Sequence, residues 1–243
     1  MIKLLRRIRY NLLETNNIKT YIKYAIGEII LVVIGILIAL SINNCNTDRL
    51  NRTLEQQTLV SLRTDLLLQN NIIKNQINKE NFFMSYVDSC MHMVKSEIDA
   101  RKLSVFLDTL SVRLTFVTNR VTFDNMANTG RTNIITNKDL LKAIVDYYQF
   151  LDYTESVVNN NNLYRVNSQF GDYVLKNKLG IQLNDAGKPY LKHSLNPQQT
   201  YELAKQLEAR KYSAANSRDK CALLLGRTND LITSIDSELK HLD

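Results

Sequence analysis

Glycine and proline are scarce in this sequence. Seven Gly and two Pro occur in 243 residues, whereas average usage of the two together is about 12%. Neither occurs between Gly35 and Gly130. Because turn-rich β architectures need both residues, the scarcity argues against them and predicts an all-α protein. The asparagine content is high, which disfavours helices, and we attribute it to an A/T-rich coding sequence.

Sequence patterns typical of catalysis are also lacking. The chain has three His and three Cys and contains no GxSxG, P-loop, HExxH or CxxC pattern. The segment Cys90-Met91-His92-Met93 offers soft ligands for copper, but four consecutive helical residues point in four directions and cannot converge. We therefore expect a protein that is not an enzyme, with no catalytic residues, no cofactor and no metal site.

One long apolar run dominates what is present. Ile29 to Leu40 contains no polar side chain, and its extension from Ala25 to Ile42 would reach roughly 27 Å as a helix. This length approaches the roughly 30 Å of a bilayer's hydrocarbon core. Tyr21 and Tyr24 precede the run, where aromatic rings favour the membrane interface. The run predicts one transmembrane helix, over residues 24–44.

Basic residues predict the orientation of this helix. Six precede it and only two lie in the twenty residues after Ile42, so the N-terminus should stay in the cytoplasm of a bacterial cell. We expect a cytoplasmic segment (1–23), an inner-membrane span (24–44) and a periplasmic helical domain (45–243). The basic residues are Lys3, Arg6, Arg7, Arg9, Lys19 and Lys23 before the span and Arg49 and Arg52 after it.

Two other interpretations of the run are weaker. A cleaved signal peptide could use Ala39 and Ser41, but the preceding 23 residues are long for such a leader. A lipoprotein would need small residues before Cys45, where Asn43 and Asn44 stand instead.

The net charge of +7 is concentrated beside the span. Residues 1–42 carry a surplus of four positive charges, and the remaining 201 residues carry only three. Residues 1–14 place apolar side chains at helical spacing and predict an amphipathic helix on the membrane surface, or else an unstructured basic tail. Anionic lipid is therefore the expected partner, and nucleic acid is not.

Apolar residues at steps of three or four predict an antiparallel helical bundle after the span. The first helix, 47–100, carries a seam with two gaps, which we interpret as core packing within one bundle. The seam consists of Leu59, Leu62, Leu66, Ile73, Ile77, Phe83, Val87, Met91, Val94 and Ile98.

Further helices are predicted from cap residues and periodicity. A helix over 101–116 precedes a short one that Thr122 caps and Gly130 ends. Asn137 should cap a helix that runs to Gly180 with a kink near Gly171. After a loop, Asn196 before Pro197 should start the first of two helices, 197–211 and 214–241.

Four residues of the span and one beyond it are candidates for association. Gly27, Gly35 and Ala39 share one broad helix face, where small side chains permit close pairing. Glu28 is an ionisable residue within the span and predicts an interhelical or interfacial polar contact, or a role in proton handling. Cys45 lies where two paired spans would be close and could form an interchain disulfide, although unpaired thiols are the simpler expectation for the chain's cysteines.

Two stretches resemble a known family. The block from Lys23 to Leu40, followed by Ile42-Asn43-Asn44, is similar to the span of an uncharacterised single-span family from Bacteroidota-type bacteria, a domain-of-unknown-function family. The second stretch consists of Thr122-Phe123-Asp124, Gly130, Ile134-Ile135, Leu140 and Tyr147-Tyr148. The family often has Trp where this chain has Cys45. The resemblance implies a single span and carries no activity.

These observations together predict a membrane-anchored helical scaffold or adaptor, expected to form a homo-oligomer and open to other membrane proteins as partners. One alternative is a subunit of an ion- or proton-coupled membrane complex that uses Glu28. A second alternative is a ligand-sensing ectodomain, which is weakened because about 23 cytoplasmic residues are too few for an output domain.

Overall fold

The computed structural model describes residues 18–95, 100–112, 114–183, 186, 189–190 and 195–242. The chain divides into two compact units, Met1–Leu54 and Glu55–Asp243. The predicted amphipathic helix over 1–14, with Lys3, Arg6, Arg7 and Arg9, lies outside the described residues, and so do the side chains of Tyr21 and Tyr24.

The described residues are almost entirely helical, which confirms the all-α class. A 3₁₀ helix spans Arg131–Ile134, a π-helix spans Asn161–Gly171, and Gln182–Leu183 pairs antiparallel with Pro189–Tyr190 as β1 and β2. The α-helices are α1 (Ile18–Lys95), α2 (Ala100–Leu110), α3 (Val121–Asn128), α4 (Lys138–Asn160), α5 (Asp172–Lys176) and α6 (Pro197–Leu242).

Helix α1 continues from the apolar run into the second unit without a break. The reason is compositional, because no Pro or Gly follows Gly35 to interrupt it. The prediction of one long helix is thus confirmed. Its predicted end at Ala100 is wrong, since α1 ends at Lys95 and α2 begins at Ala100; Ile98 lies outside the described residues.

The predicted apolar seam of α1 is buried in the second unit. Leu59, Leu62, Leu66 and Ile73 belong to one apolar cluster, and Phe83, Val87 and Val94 to another. Buried polar side chains lie in both predicted gaps of the seam. Gln69 and Asn70 lie in the gap after Leu66, and Glu80 lies in the gap after Ile77; Gln76, one turn before Glu80, is buried as well.

Helices α4 and α6 form an antiparallel pair. The Asn137 side-chain amide donates to Glu238 at 2.6 Å, and the hydroxyls of Tyr147 and Thr228 lie 3.1 Å apart. Ile144 and Leu224 are buried in the cluster that these helices share with α1. Residue numbers rise along α4 as they fall along α6, as an antiparallel bundle requires.

Asn137 caps α4 as predicted, because its side chain accepts from the backbone N–H groups of Asp139 and Leu140. The expected kink near Gly171 stays a prediction, and a π-helix of 11 residues follows α4 and ends at that glycine. The Ser168 hydroxyl follows the wider winding and donates to the Leu163 carbonyl five residues earlier, at 3.0 Å. The helical run ends at Lys176 rather than at Gly180.

The predicted helix over 101–116 is too long. Helix α2 ends at Leu110, and residues 114–120 are extended or irregular. Side chains of the following helices bind the backbone of this connector. Asn159 accepts from the Phe116 N–H and donates to the Phe116 carbonyl, both at 2.9 Å, and Asn162 donates to the Leu114 carbonyl at 2.5 Å.

Thr122 does not cap α3 as predicted. It lies within the first turn, and its backbone N–H donates to the Asp65 carboxylate of α1 at 2.8 Å. Asp65 also accepts from the Asn119 side chain at 3.2 Å. A carboxylate from a distant helix therefore supplies the negative charge that a helix N-terminus favours. Gly130 follows the helix with φ of 66°, the left-handed conformation expected at its end.

Helix α6 begins as predicted. The Asn196 side chain accepts from the Gln199 N–H at 2.8 Å, and the Gln199 side chain accepts from the Asn196 N–H at 3.2 Å, forming a reciprocal cap. The predicted division into two helices is wrong, because α6 runs to Leu242. Buried Ala214 and Ser217 continue its inner face through the expected break.

We predict that Asp65→Ala lowers the free energy of unfolding of the full chain by about 1–3 kcal/mol, because it leaves the Thr122 N–H without its acceptor. Denaturant unfolding of the detergent-solubilised protein, followed by circular dichroism, measures this loss. Asp146→Ala is the matched control, since Asp146 forms an ion pair with exposed Lys142 on its own helix. Equal losses in both variants would contradict the assignment.

Candidate functional site

The apolar run forms an exposed helical surface in the first unit. Leu31 is 73% exposed and Ile29 is 63% exposed, and none of the most apolar window is buried by the chain. By length and composition, this helix could cross a membrane. Exposed apolar surface of this extent needs lipid or another protein to cover it.

The predicted association residues lie on this helix. A Cβ atom added at Gly27 or Gly35 would meet nothing within 4 Å in the protomer. Ala39 is exposed and Glu28 is partly exposed. At 3.6 residues per turn, Glu28 falls on the same broad face as the two glycines and Ala39.

The three cysteines occupy two environments. Cys45 is exposed, whereas Cys90 and Cys221 are buried, and all three thiols are free within the protomer. Burial raises the pKa of the Cys90 and Cys221 thiols to about 12. Buried thiols that stay protonated are poor nucleophiles, so Cys45 is the cysteine available for chemistry.

A buried polar layer lies where the two apolar clusters meet. Glu80 of α1 and Arg210 of α6 are both 2% exposed. Gln76 donates to the Glu80 carboxylate at 2.7 Å. The Arg210 guanidinium donates to the Leu110 carbonyl at 3.1 Å and lies 4.6 Å from the centre of the Phe83 ring.

Burial is the main influence on both ionisable groups of this layer. It raises the pKa of the Glu80 carboxyl, and the charge of Arg210, the hydrogen bond from Gln76 and the charge of Lys79 partly oppose this. Burial lowers the pKa of Arg210, against the opposing charge of Glu80. The Arg210 Nη2 atom and the Gln206 Oε1 atom have no hydrogen-bond partner among the described residues.

An apolar cleft of about 440 Å³ opens on the surface of the second unit. Residues of α1, α2 and the following connector line it, and Phe83 connects its wall to the buried Arg210. Phe82 is 45% exposed and Val112 is 48% exposed. The lining residues are Asn78, Lys79, Phe82, Phe83, Thr109, Val112 and Leu114.

A second groove of about 440 Å³ lies between the π-helix and α6. Long π-helical stretches are rare and occur often at functional sites. Asn161 bridges the two walls, since its amide donates to Ser217 at 3.1 Å. The lining is more polar than that of the apolar cleft and consists of Asn161, Arg165, Lys205, Glu208, Ala209, Tyr212, Ser213 and Asn216.

Sequence reasoning identified the residues of the apolar run but neither of these clefts. Glu80 and the residues near it appeared only as a gap in the seam, and Arg210 carried no signal in its own segment. Two buried polar residues on helices far apart in sequence are recognisable as neighbours only once the helices pack. Within the described residues, no group of three His, Cys, Asp or Glu side chains could hold a metal ion.

This architecture defines an all-α protein in which a helix apolar enough to cross a membrane continues into a helical bundle. The chain belongs to a family of unknown function, DUF6090, whose model matches residues 28–188. No curated protein and no solved structure matches the chain.

The matched region includes most of α1, the connector and the π-helix, and it ends before α6. The span block and the stretch from Thr122 to Tyr148, on which the family resemblance rests, both overlap it. Family membership brings no activity, so function must be argued from the chain's own surfaces.

We predict that Glu80 makes a contribution to stability that is lost as pH rises above about 4.5, the ordinary pKa of glutamate, because folding raises the pKa of Glu80. At pH values between the unfolded and the folded pKa, Glu80 is protonated in the folded protein and ionised in the unfolded chain. Glu80→Gln keeps the shape and the acceptor for Gln76, so it should stabilise the protein at neutral pH and remove this pH dependence.

Denaturant unfolding across a pH series, with Asp230→Asn as an exposed control, measures the effect. A loss of stability in Glu80→Gln at neutral pH would show instead that Arg210 favours the ionised carboxylate.

Proposed function

We propose that the protein is a membrane-anchored helical scaffold or adaptor that binds partners rather than catalysing a reaction. The observation that supports this most directly is the exposed apolar helix from Ala25 to Ile42, which no part of the protomer buries. A lipid bilayer would cover this apolar surface, and the length of the helix matches the thickness of the bilayer's hydrocarbon core.

The proposed topology follows from charge. Six basic residues precede the span and only two lie in the twenty residues after Ile42, so the N-terminus belongs in the cytoplasm and residues 45–243 in the periplasm. The proposed location is the inner membrane of a bacterial cell. Cys45 then faces an oxidising compartment.

We expect protease added to intact spheroplasts to remove the bundle, because it lies outside the cytoplasmic membrane. An antibody against a C-terminal tag follows the loss, and a cytoplasmic protein serves as the control for intact cells. If the bundle is degraded only after lysis, the proposed orientation is reversed.

Self-association through the span is the second part of the proposal. In lipid, helix pairing depends on close packing and polar contacts, and small residues permit both. Gly27, Gly35 and Ala39 supply the small residues, and Glu28 supplies a polar group on the same face. Cys45 follows Gly27 by about five helical turns and so lies on the edge of that face.

We predict that Gly35→Leu weakens the dimer or higher oligomer and reduces cross-linking through Cys45 on mild oxidation. A Cβ added at Gly35 meets nothing within 4 Å in the protomer, so a loss reports on pairing rather than on folding. Leu37→Ile, on the opposite face, is the matched control. Unchanged cross-linking in Gly35→Leu would contradict pairing through this face, and a monomer in mild detergent would contradict self-association altogether.

The alternative is a subunit of an ion- or proton-coupled membrane complex. The specific observation in its favour is Glu28, an ionisable residue within the apolar helix and on its small-residue face. Glu28→Gln separates the two proposals in cells that depend on the protein. If the protein is a scaffold, such cells keep their function with Glu28→Gln. If it is a proton-handling subunit, they lose that function although the complex still assembles.

A further inference from the structure

The apolar cleft on the second unit has the features of a ligand site rather than of ordinary surface. Its volume of about 440 Å³ lies within the range of small-molecule pockets, which are largely apolar with a few polar groups that orient the ligand. Phe82 and Val112 remain about half exposed there although the apolar core begins directly beneath them at Phe83.

The walls of the cleft are held in place by their neighbours. The Phe82 ring lies 4.2 Å from the Tyr86 ring, and the Tyr86 ring stacks on Phe106 of α2 at 4.4 Å. Arg210 lies against Phe83 and donates to the Leu110 carbonyl at the end of α2. These contacts join α1 and α2, so the cleft exists before any ligand arrives.

Three of the lining side chains are polar, and those of Asn78 and Lys79 belong to adjacent residues. Asn78 and Lys79 are both exposed neighbours on α1. The Thr109 hydroxyl already donates to the Val105 carbonyl at 2.8 Å, so it has no proton to give a ligand. Among the described residues, Lys79 forms no ion pair with a carboxylate. The cleft therefore offers apolar walls, one ammonium group and one amide.

We propose that this cleft binds a single-chain anionic amphiphile, with the apolar chain between Phe82, Val112 and Leu114 and the anionic head group at Lys79 and Asn78. The apolar lining selects a chain that water excludes. The positive charge of Lys79 selects a carboxylate or phosphate head over an uncharged one. The proposal goes beyond the scaffold function and does not depend on it.

The absence of tryptophan from the chain permits a local test. Phe82→Trp places one fluorophore in the wall of the cleft, in the full chain reconstituted into phosphatidylcholine vesicles, which contain no other tryptophan. Bromine-labelled decanoate is the probe, because bromine quenches tryptophan at short range. Tyr164→Trp is the matched control, since Tyr164 is exposed on the π-helix and lines neither cleft.

The expected result is saturable quenching by bromodecanoate in Phe82→Trp and not in Tyr164→Trp. Adding Thr109→Leu should fill the cleft and weaken binding at least tenfold. Adding Lys79→Gln should weaken decanoate binding about fivefold, the value of one exposed charge pair at about 1 kcal/mol, and leave brominated decanol unaffected. Lys95→Gln, an exposed lysine at the end of α1, should change neither.

Three results would overturn the proposal. Equal quenching in Phe82→Trp and Tyr164→Trp would mean that the probe acts from the bilayer. Equal affinity for decanoate and decanol, unchanged by Lys79→Gln, would show that the cleft does not recognise an anionic head group. A shift of Phe82→Trp emission with protein concentration, without probe, would mean that a second copy of the chain covers the cleft.

Discussion

Buried backbone N–H groups need acceptors, and in this bundle helix α1 supplies them to segments far along the chain. Gln69 accepts from the Asn119 N–H at 2.6 Å, Asp65 accepts from the Thr122 N–H at 2.8 Å, and Glu55 accepts from the Thr136 N–H at 2.6 Å. The connectors before α3 and before α4 thereby take their positions from α1. The bundle depends on these polar contacts as well as on its apolar clusters.

The same constraint explains why asparagine is useful here despite its poor helix propensity. Asn159 binds both backbone groups of Phe116, and Asn162 binds the Leu114 carbonyl. Among the described residues, no β-strand pairs with the connector over residues 114–120. Side-chain amides therefore form the backbone hydrogen bonds that a neighbouring strand would otherwise provide. A composition that sequence analysis attributed to coding bias thus has a structural role at these positions.

The two apolar clusters and the polar layer between them also place the candidate cleft. Glu80 stays buried because it accepts a hydrogen bond from Gln76. Arg210 stays buried because it donates to the Leu110 carbonyl and lies over the Phe83 ring. Arg210 thereby holds the end of α2 against α1, and the cleft lies along that junction. A charged residue in the interior gains little stability but favours one arrangement of the helices that it contacts.

Local patterns in the sequence determined the all-α class, the unbroken course of α1 from the apolar run into the bundle, the buried face of its seam and the caps at Asn137 and Asn196. Each of these depends on residues within a few positions of one another. The tertiary structure decided where α2 ends and which carboxylate accepts a hydrogen bond from the N-terminus of α3. It also decided that α6 continues past residue 211 and that a π-helix follows α4. These features depend on side chains such as Asp65 and Asn159, whose partners lie tens of residues away. The apolar cleft belongs to the second group, because its walls meet only when α1 and α2 pack.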